Sequence, residues 1–68
     1  MKPEELRDGL ARLGLNPRQL GEAVSPPVSQ PHMYAMAKGT RRIGPVMAHR
    51  LREAMVRLML ERARPAGE

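Results

Sequence analysis

The sequence predicts an all-α domain of four helices, three short and one long. Two observations carry this. Apolar residues recur at three- and four-residue spacings, and no segment alternates apolar and polar residues over a strand's length. Prolines Pro3, Pro17, Pro31 and Pro45 each stand in the first turn of such a stretch, where a missing N–H is harmless. At 68 residues the chain is one domain with a marginal core. It has no cysteine, so neither disulfides nor cysteine-ligated zinc can reinforce it. Self-association is the natural way to bury more surface.

The first helix is expected over residues 3–13, "PEELRDGLARL". Glu4 and Glu5 suit the positive end of the helix dipole. Leu6, Leu10 and Leu13 form one stripe, and Gly14 ends it as a left-handed cap. The second is expected over 16–24, "NPRQLGEAV", with Asn16 as N-cap and Gln19 at capping-box spacing. Leu20, Ala23 and Val24 form its inner face. Gly21 costs about 1 kcal/mol of helix propensity against alanine, which a helix accepts where another backbone must come close. "SPPV" at 25–28 is a stiff turn, because successive prolines forbid helix. Ser29 should cap a third helix over 30–38, with Met33, Met36 and Ala37 inward and Gly39 ending it. Residues 40–43 form a loop anchored by Ile43, and a last helix runs from 45 to about 63.

Charge narrows the function. The net charge is +5, and no acidic residue lies between Glu22 and Glu53, a stretch that holds Lys38, Arg41, Arg42, Arg50 and Arg52. Such asymmetry points to a polyanion, nucleic acid before membrane. No apolar run approaches the ~18 residues of a membrane span, and the N-terminus carries acids where a signal peptide is apolar. A cytoplasmic protein is expected, in a bacterial cell or phage-infected host. His32 and His49 have no acidic cluster beside them, so no metal site is expected. Paired carboxylates, a nucleophile with a nearby base and a phosphate-cradling glycine loop are all missing, so neither an enzyme nor a cofactor or small-molecule ligand is expected.

Two helices joined by a turn, the first bearing a glycine and the second opening with a cap and polar residues, have the organisation of a helix-turn-helix. "LGLNPRQLGEAV" followed by "VSQPHMYAMAKGTRRI" resembles the Cro/CI-type, or XRE-type, helix-turn-helix of phage and bacterial repressors. The resemblance covers about residues 6–55, and "VSQP" followed by "AKG" is its strongest element. It implies a compact four- to five-helix, lambda-repressor-like domain over residues 1–64, with the helix-turn-helix at 16–38 and a disordered tail at 65–68. Two departures stand out. "SPPVS" adds about two residues to the usual turn. Pro17 replaces a frequent glutamine, so Arg18 or Gln19 must supply the phosphate contact made there.

The recognition helix would then present Gln30, His32 and Tyr34 to bases. Glutamine can bond adenine bidentately, histidine can donate or accept at a base edge, and tyrosine can pack on a thymine methyl or reach a phosphate. Lys38, Thr40, Arg41 and Arg42, past the helix end, and Asn16, Arg18, Gln19 and Ser29 would hold the backbone. Plainer roles compete: caps for Ser29 and Gln30, a surface histidine, a half-buried tyrosine, solvated loop arginines. One aromatic residue is too few for a single-strand stacking platform.

In the last helix Met47, Leu51, Ala54, Met55 and Leu58 face the core, while Val56, Met59, Leu60 and Ala63 form a second apolar stripe. A homodimer is expected through that stripe, placing two recognition helices on an inverted-repeat operator. The expected function is a sequence-specific double-stranded DNA-binding repressor, acting on its own or a neighbouring phage-type operon, which includes operons of the anti-CRISPR type. The alternative is an antitoxin or adaptor module whose C-terminal helix docks on another protein.

Overall fold

The computed structural model describes residues 1–63, with side chains through Arg62. The expected tail at 65–68 and the side chain of Ala63 lie outside the described residues. Among those described there are four helices and no strand: α1 (Pro3–Leu13), α2 (Pro17–Ala23), α3 (Gln30–Lys38) and α4 (Pro45–Ala63). Each begins with a proline at its first or second position. The ring fixes φ near its helical value and forfeits only an N–H that would have had no partner.

The helices end for local reasons too. Gly14 (φ 67°) and Gly39 (φ 88°) take the left-handed conformation after α1 and α3. At Gly14 the chain bonds back from Gly14 N–H to the Ala11 carbonyl and from Leu15 N–H to that of Leu10. At Gly39 the same pair of bonds runs to Met36 and Ala35. Both are Schellman motifs, which satisfy the last carbonyls of a helix. Helix α2 is one residue shorter at each end than its sequence pattern, because Asn16 and Val24 are extended caps. Ser29 is also extended, but its hydroxyl makes no cap bond, contrary to expectation. Pro31 supplies no N–H at the helix's second position, which removes one of the two donors an N-cap side chain can accept from.

The core is one cluster. Leu6 and Leu13 of α1, Leu20 of α2, Met33 and Met36 of α3 and Leu51 of α4 are its fully buried large side chains. Helix α3 packs on α1 and α2, and α4 closes the other side against the same two helices. Ala48 joins the expected α4 face; Leu51, Ala54 and Met55 are buried, while Met47 and Leu58 cover the edge of the cluster. Helix α4 is continuous over its 19 residues.

Two arginines tie helices together across the chain. The Arg7 guanidinium of α1 donates to the Ala37 carbonyl in the last turn of α3, at 2.6 Å. That of Arg57 in α4 donates to the carbonyl of Ala23, the last residue of α2. Each places a cation at the negative end of a neighbouring helix.

Candidate nucleic-acid interface

Helix α3 is aimed by its contact with α2. The connecting segment, 24–29, is six residues long and is tied back by a 3.0 Å bond from Val28 N–H to the Gly21 carbonyl. Gly21 is buried, and a Cβ there would lie 2.7 Å from the Val28 carbonyl oxygen and 2.7 Å from Met33 Cγ. The close approach expected at this glycine is therefore made by the turn's own backbone. The extra turn residues fold onto α2, and their carbonyl fills the space a side chain would need.

The outward side of α3 follows from its burial. Met33, Met36 and Ala37 face inward. Gln30, Pro31, Tyr34 and Lys38 are exposed, with Tyr34 at 37%, whereas His32 and Ala35 are half-buried. At 100° per residue, Pro31, Ala35 and Lys38 occupy the centre of this side. Gln30 and Tyr34, one turn apart, lie on one flank, and His32 lies on the other. Sequence reasoning put these three, with Pro31, on the outward side and named the three as base readers, but did not separate them into two flanks around Pro31. A proline offers only its ring surface, so at the first turn of the helix a partner meets shape at the centre and hydrogen-bonding groups at the flanks, with the Lys38 ammonium on the same line two turns on.

The basic groups at the end of α3 and in the loop just after it, Lys38, Arg41 and Arg42, have no acidic partner within the described residues. Acidic side chains take up Arg12 (Asp8, 3.2 Å), Arg18 (Glu22, 3.4 Å) and Arg52 (Glu5, 3.6 Å). Lys38, Arg41 and Arg42 are exposed and have no ion pair among the described residues. The loop carrying them is fixed at its start: the N–H groups of Thr40 and Arg41 both reach the Ala35 carbonyl, at 3.0 and 3.2 Å. The Thr40 hydroxyl donates to that same carbonyl at 3.2 Å, so its proton is engaged in closing α3. Arg18, as placed, is paired along its own helix, an exposed contact of small energy that a phosphate can displace.

At the start of α2 the capping box has both bonds: Gln19 N–H to Asn16 Oδ1 at 2.8 Å and Asn16 N–H to Gln19 Oε1 at 2.9 Å. Those bonds use the side-chain oxygens. The two amide NH2 groups are left as donors on exposed residues, the form in which Asn16 and Gln19 can serve a phosphate. Ser29, with no cap bond, keeps both its hydroxyl proton and its acceptor lone pairs.

A second surface lies on α4. Val56, Met59 and Leu60 are exposed by 55%, 42% and 64%. An open groove beside them is lined by His49, Arg52, Glu53, Val56, Arg57 and Leu60. Among the described residues no helix is long and apolar enough to cross a membrane. Arg7, Gly9 and Arg57 matter to this architecture and were not singled out from the sequence, since their partners lie far along the chain.

No protein-family model, no curated protein and no solved structure matches the chain.

Proposed function

We propose that this protein is a sequence-specific double-stranded DNA-binding transcriptional regulator with a lambda-repressor-like helix-turn-helix. Helix α3 is its recognition helix, and it acts as a homodimeric, phage-type repressor on an inverted repeat. One observation carries the reading. Residues 23–52 contain no acid, and within them the polar side of α3 runs directly into Lys38, Arg41 and Arg42, none of which is paired with a carboxylate among the described residues. Exposed cations without a carboxylate partner, continuous with the outward side of one helix and with no acid nearby in the sequence, favour an external polyanion.

In this reading Gln30, Tyr34 and His32 meet base edges from either flank of Pro31. Lys38, Arg41 and Arg42 hold the phosphates past the helix end, and the outward amides of Asn16 and Gln19 hold them at the start of α2. Ser29 and Arg18 add contacts to the same backbone. Thr40 supports them by closing α3. A gel-shift titration against the region upstream of its own gene, repeated over a salt series, tests the proposal. Sequence-selective binding that weakens steeply with salt supports it. Absence of binding at low salt, or binding indifferent to sequence, overturns it.

The exposed stripe on α4 gives a second reading some footing: a module that docks on another protein, as an antitoxin or adaptor does. A stoichiometric co-purifying protein, together with DNA binding unmoved by Arg41→Ala plus Arg42→Ala, would favour that reading.

A further inference from the structure

The outer face of α4 differs from the acid-free stretch at 23–52 in its charge as well as its apolarity. Val56, Met59 and Leu60 lie within two turns and are substantially exposed. Around them stand Arg52, Glu53, Arg57, Glu61 and Arg62, a rim of both signs. Residues 23–52, by contrast, have no acid at all. Glu53 and Glu61 would repel a nucleic acid. A strongly acidic or strongly basic partner would meet its own sign on this rim. A second copy of the same surface does not have that difficulty: Arg52 and Glu53 already pair with Glu5 and His49 within the chain, and a two-fold contact lets the remaining rim charges of both signs meet around a shared apolar centre.

Arg57 adds a connection. Its side chain lines the groove beside Val56 and Leu60, and its guanidinium donates to the Ala23 carbonyl at the end of α2. Ala23 immediately precedes the turn that carries the chain into α3. In the single chain this bond is exposed to water. A molecule laid over the groove excludes that water, and a charge-assisted bond strengthens as its surroundings dry.

We infer that the outer face of α4 docks a second copy of this chain, and that Arg57 couples this docking to the α2–turn–α3 unit. The inference rests on the DNA-binding reading of α3 for its second half only. Two single helix faces make a small interface, below about 1,200 Å2, so the dimer is weak in isolation. Docking steadies the end of α2 and the turn. By linkage, DNA that fixes the same unit tightens the dimer by the same factor.

The test is sedimentation equilibrium of the full chain at low salt. It is run alone and with a saturating mixed-sequence 12-base-pair duplex, long enough for one recognition helix but too short to bridge two. The dimer constant of the wild-type chain is expected to tighten three- to tenfold with the duplex. Arg57→Met, which keeps the apolar stem and loses the guanidinium, should still dimerise, with a constant the duplex does not move. Leu60→Asp should be monomeric while keeping its helical circular dichroism and its duplex binding. A wild-type chain that stays monomeric at several hundred micromolar, or a dimer indifferent to Leu60→Asp, overturns the docking. A duplex effect retained in Arg57→Met overturns the coupling. No duplex binding by a folded wild-type dimer sinks the DNA reading and the coupling with it, and leaves the docking surface standing.

Discussion

Two helix pairs in this protein use the same device and use it differently. In α2 against α3, buried Gly21 faces Met33; in α1 against α4, buried Gly9 faces Met55. A Cβ on Gly21 would meet Met33 Cγ and the Val28 backbone carbonyl, both at 2.7 Å. A Cβ on Gly9 would meet only the thioether end of Met55, Sδ and Cε, both at 2.9 Å. The first contact is closed by backbone and by a methionine carbon near its own helix. The second is closed by the most adaptable part of a flexible side chain. The angle that aims α3 is therefore set by groups that cannot yield, while the seat of α4 has slack. In the proposed function the recognition helix needs one orientation, whereas α4 needs only to be held.

The largest expected effect breaks the rigid half. Gly21→Ala gains up to about 1 kcal/mol in helix propensity. It forces a carbon onto the Val28 carbonyl, an overpacking that costs about 1–3 kcal/mol and in a backbone contact lies at or above the upper end. Net destabilisation of about 2 kcal/mol should lower the melting temperature by roughly 8–16 °C, measured by circular dichroism. Trimming the side chain with Gly21→Ala plus Met33→Ala should not rescue it, because the carbonyl remains and a cavity is added. Recovery in the double variant would show that the methionine, not the turn, sets the approach.

The next perturbation leaves the packing alone and tests what the rigid half presents. Arg41→Ala plus Arg42→Ala removes two exposed cations whose guanidinium groups make no hydrogen bond or ion pair among the described residues. The melting temperature should stay within a degree or two. DNA affinity should fall roughly tenfold or more near physiological salt, and the slope of log K against log salt should flatten by about 2. An unchanged slope, read by fluorescence anisotropy, would mean that these arginines touch no phosphate.

A smaller effect is expected at the start of α2. Asn16→Ala removes the oxygen that caps Gln19 N–H, at a cost of about 1 kcal/mol. Asn16→Asp retains the cap and removes the outward NH2, so it should keep stability and lose DNA affinity. Equal affinity for Asn16→Asp and wild type would confine Asn16 to the cap.

Much of this was legible from local signals. Proline and glycine punctuate every helix in the sequence, and three- and four-residue spacing alone picks out Leu6, Leu10, Leu13, Met33, Met36 and Leu51. Gly21 was legible because a mid-helix glycine carries a cost that only a close neighbour excuses. Ser29 misled, since its cap signal takes no account of the proline two residues on. The Arg7–Ala37 and Arg57–Ala23 bonds were invisible. They join residues 30 and 34 positions apart through a carbonyl every residue possesses, so no spacing or residue type announces them. Gly9 was passed over for the same reason, because only the fold brings Met55 to it. For the candidate site, the outward groups were legible, Pro31 among them, but not that His32 is half-buried or how Gln30, Tyr34 and His32 divide around Pro31, which requires knowing where the buried face is centred.

The smallest effect is expected at Gly9, and it bears most directly on the contrast between the two pairs. Gly9→Ala should gain close to 1 kcal/mol, because an interior glycine is replaced by the best helix former. Against that, Met55 must move its last two atoms by roughly 0.5–1 Å to restore ordinary van der Waals separation. Those atoms are reached through three rotatable bonds, and Met55 is 8% exposed, at the edge of the core cluster with a little room to move. The two terms nearly cancel, leaving stability within about 0.5 kcal/mol of wild type by urea denaturation. DNA binding should be unchanged, since α3 is not addressed. Adding Met55→Leu removes the sulfur and terminal methyl that block the site, and should turn the small balance into a net gain. A loss at Gly9→Ala as large as that at Gly21→Ala would show that α4 is seated as rigidly as α3 is aimed, and the distinction between the two helix pairs would fall.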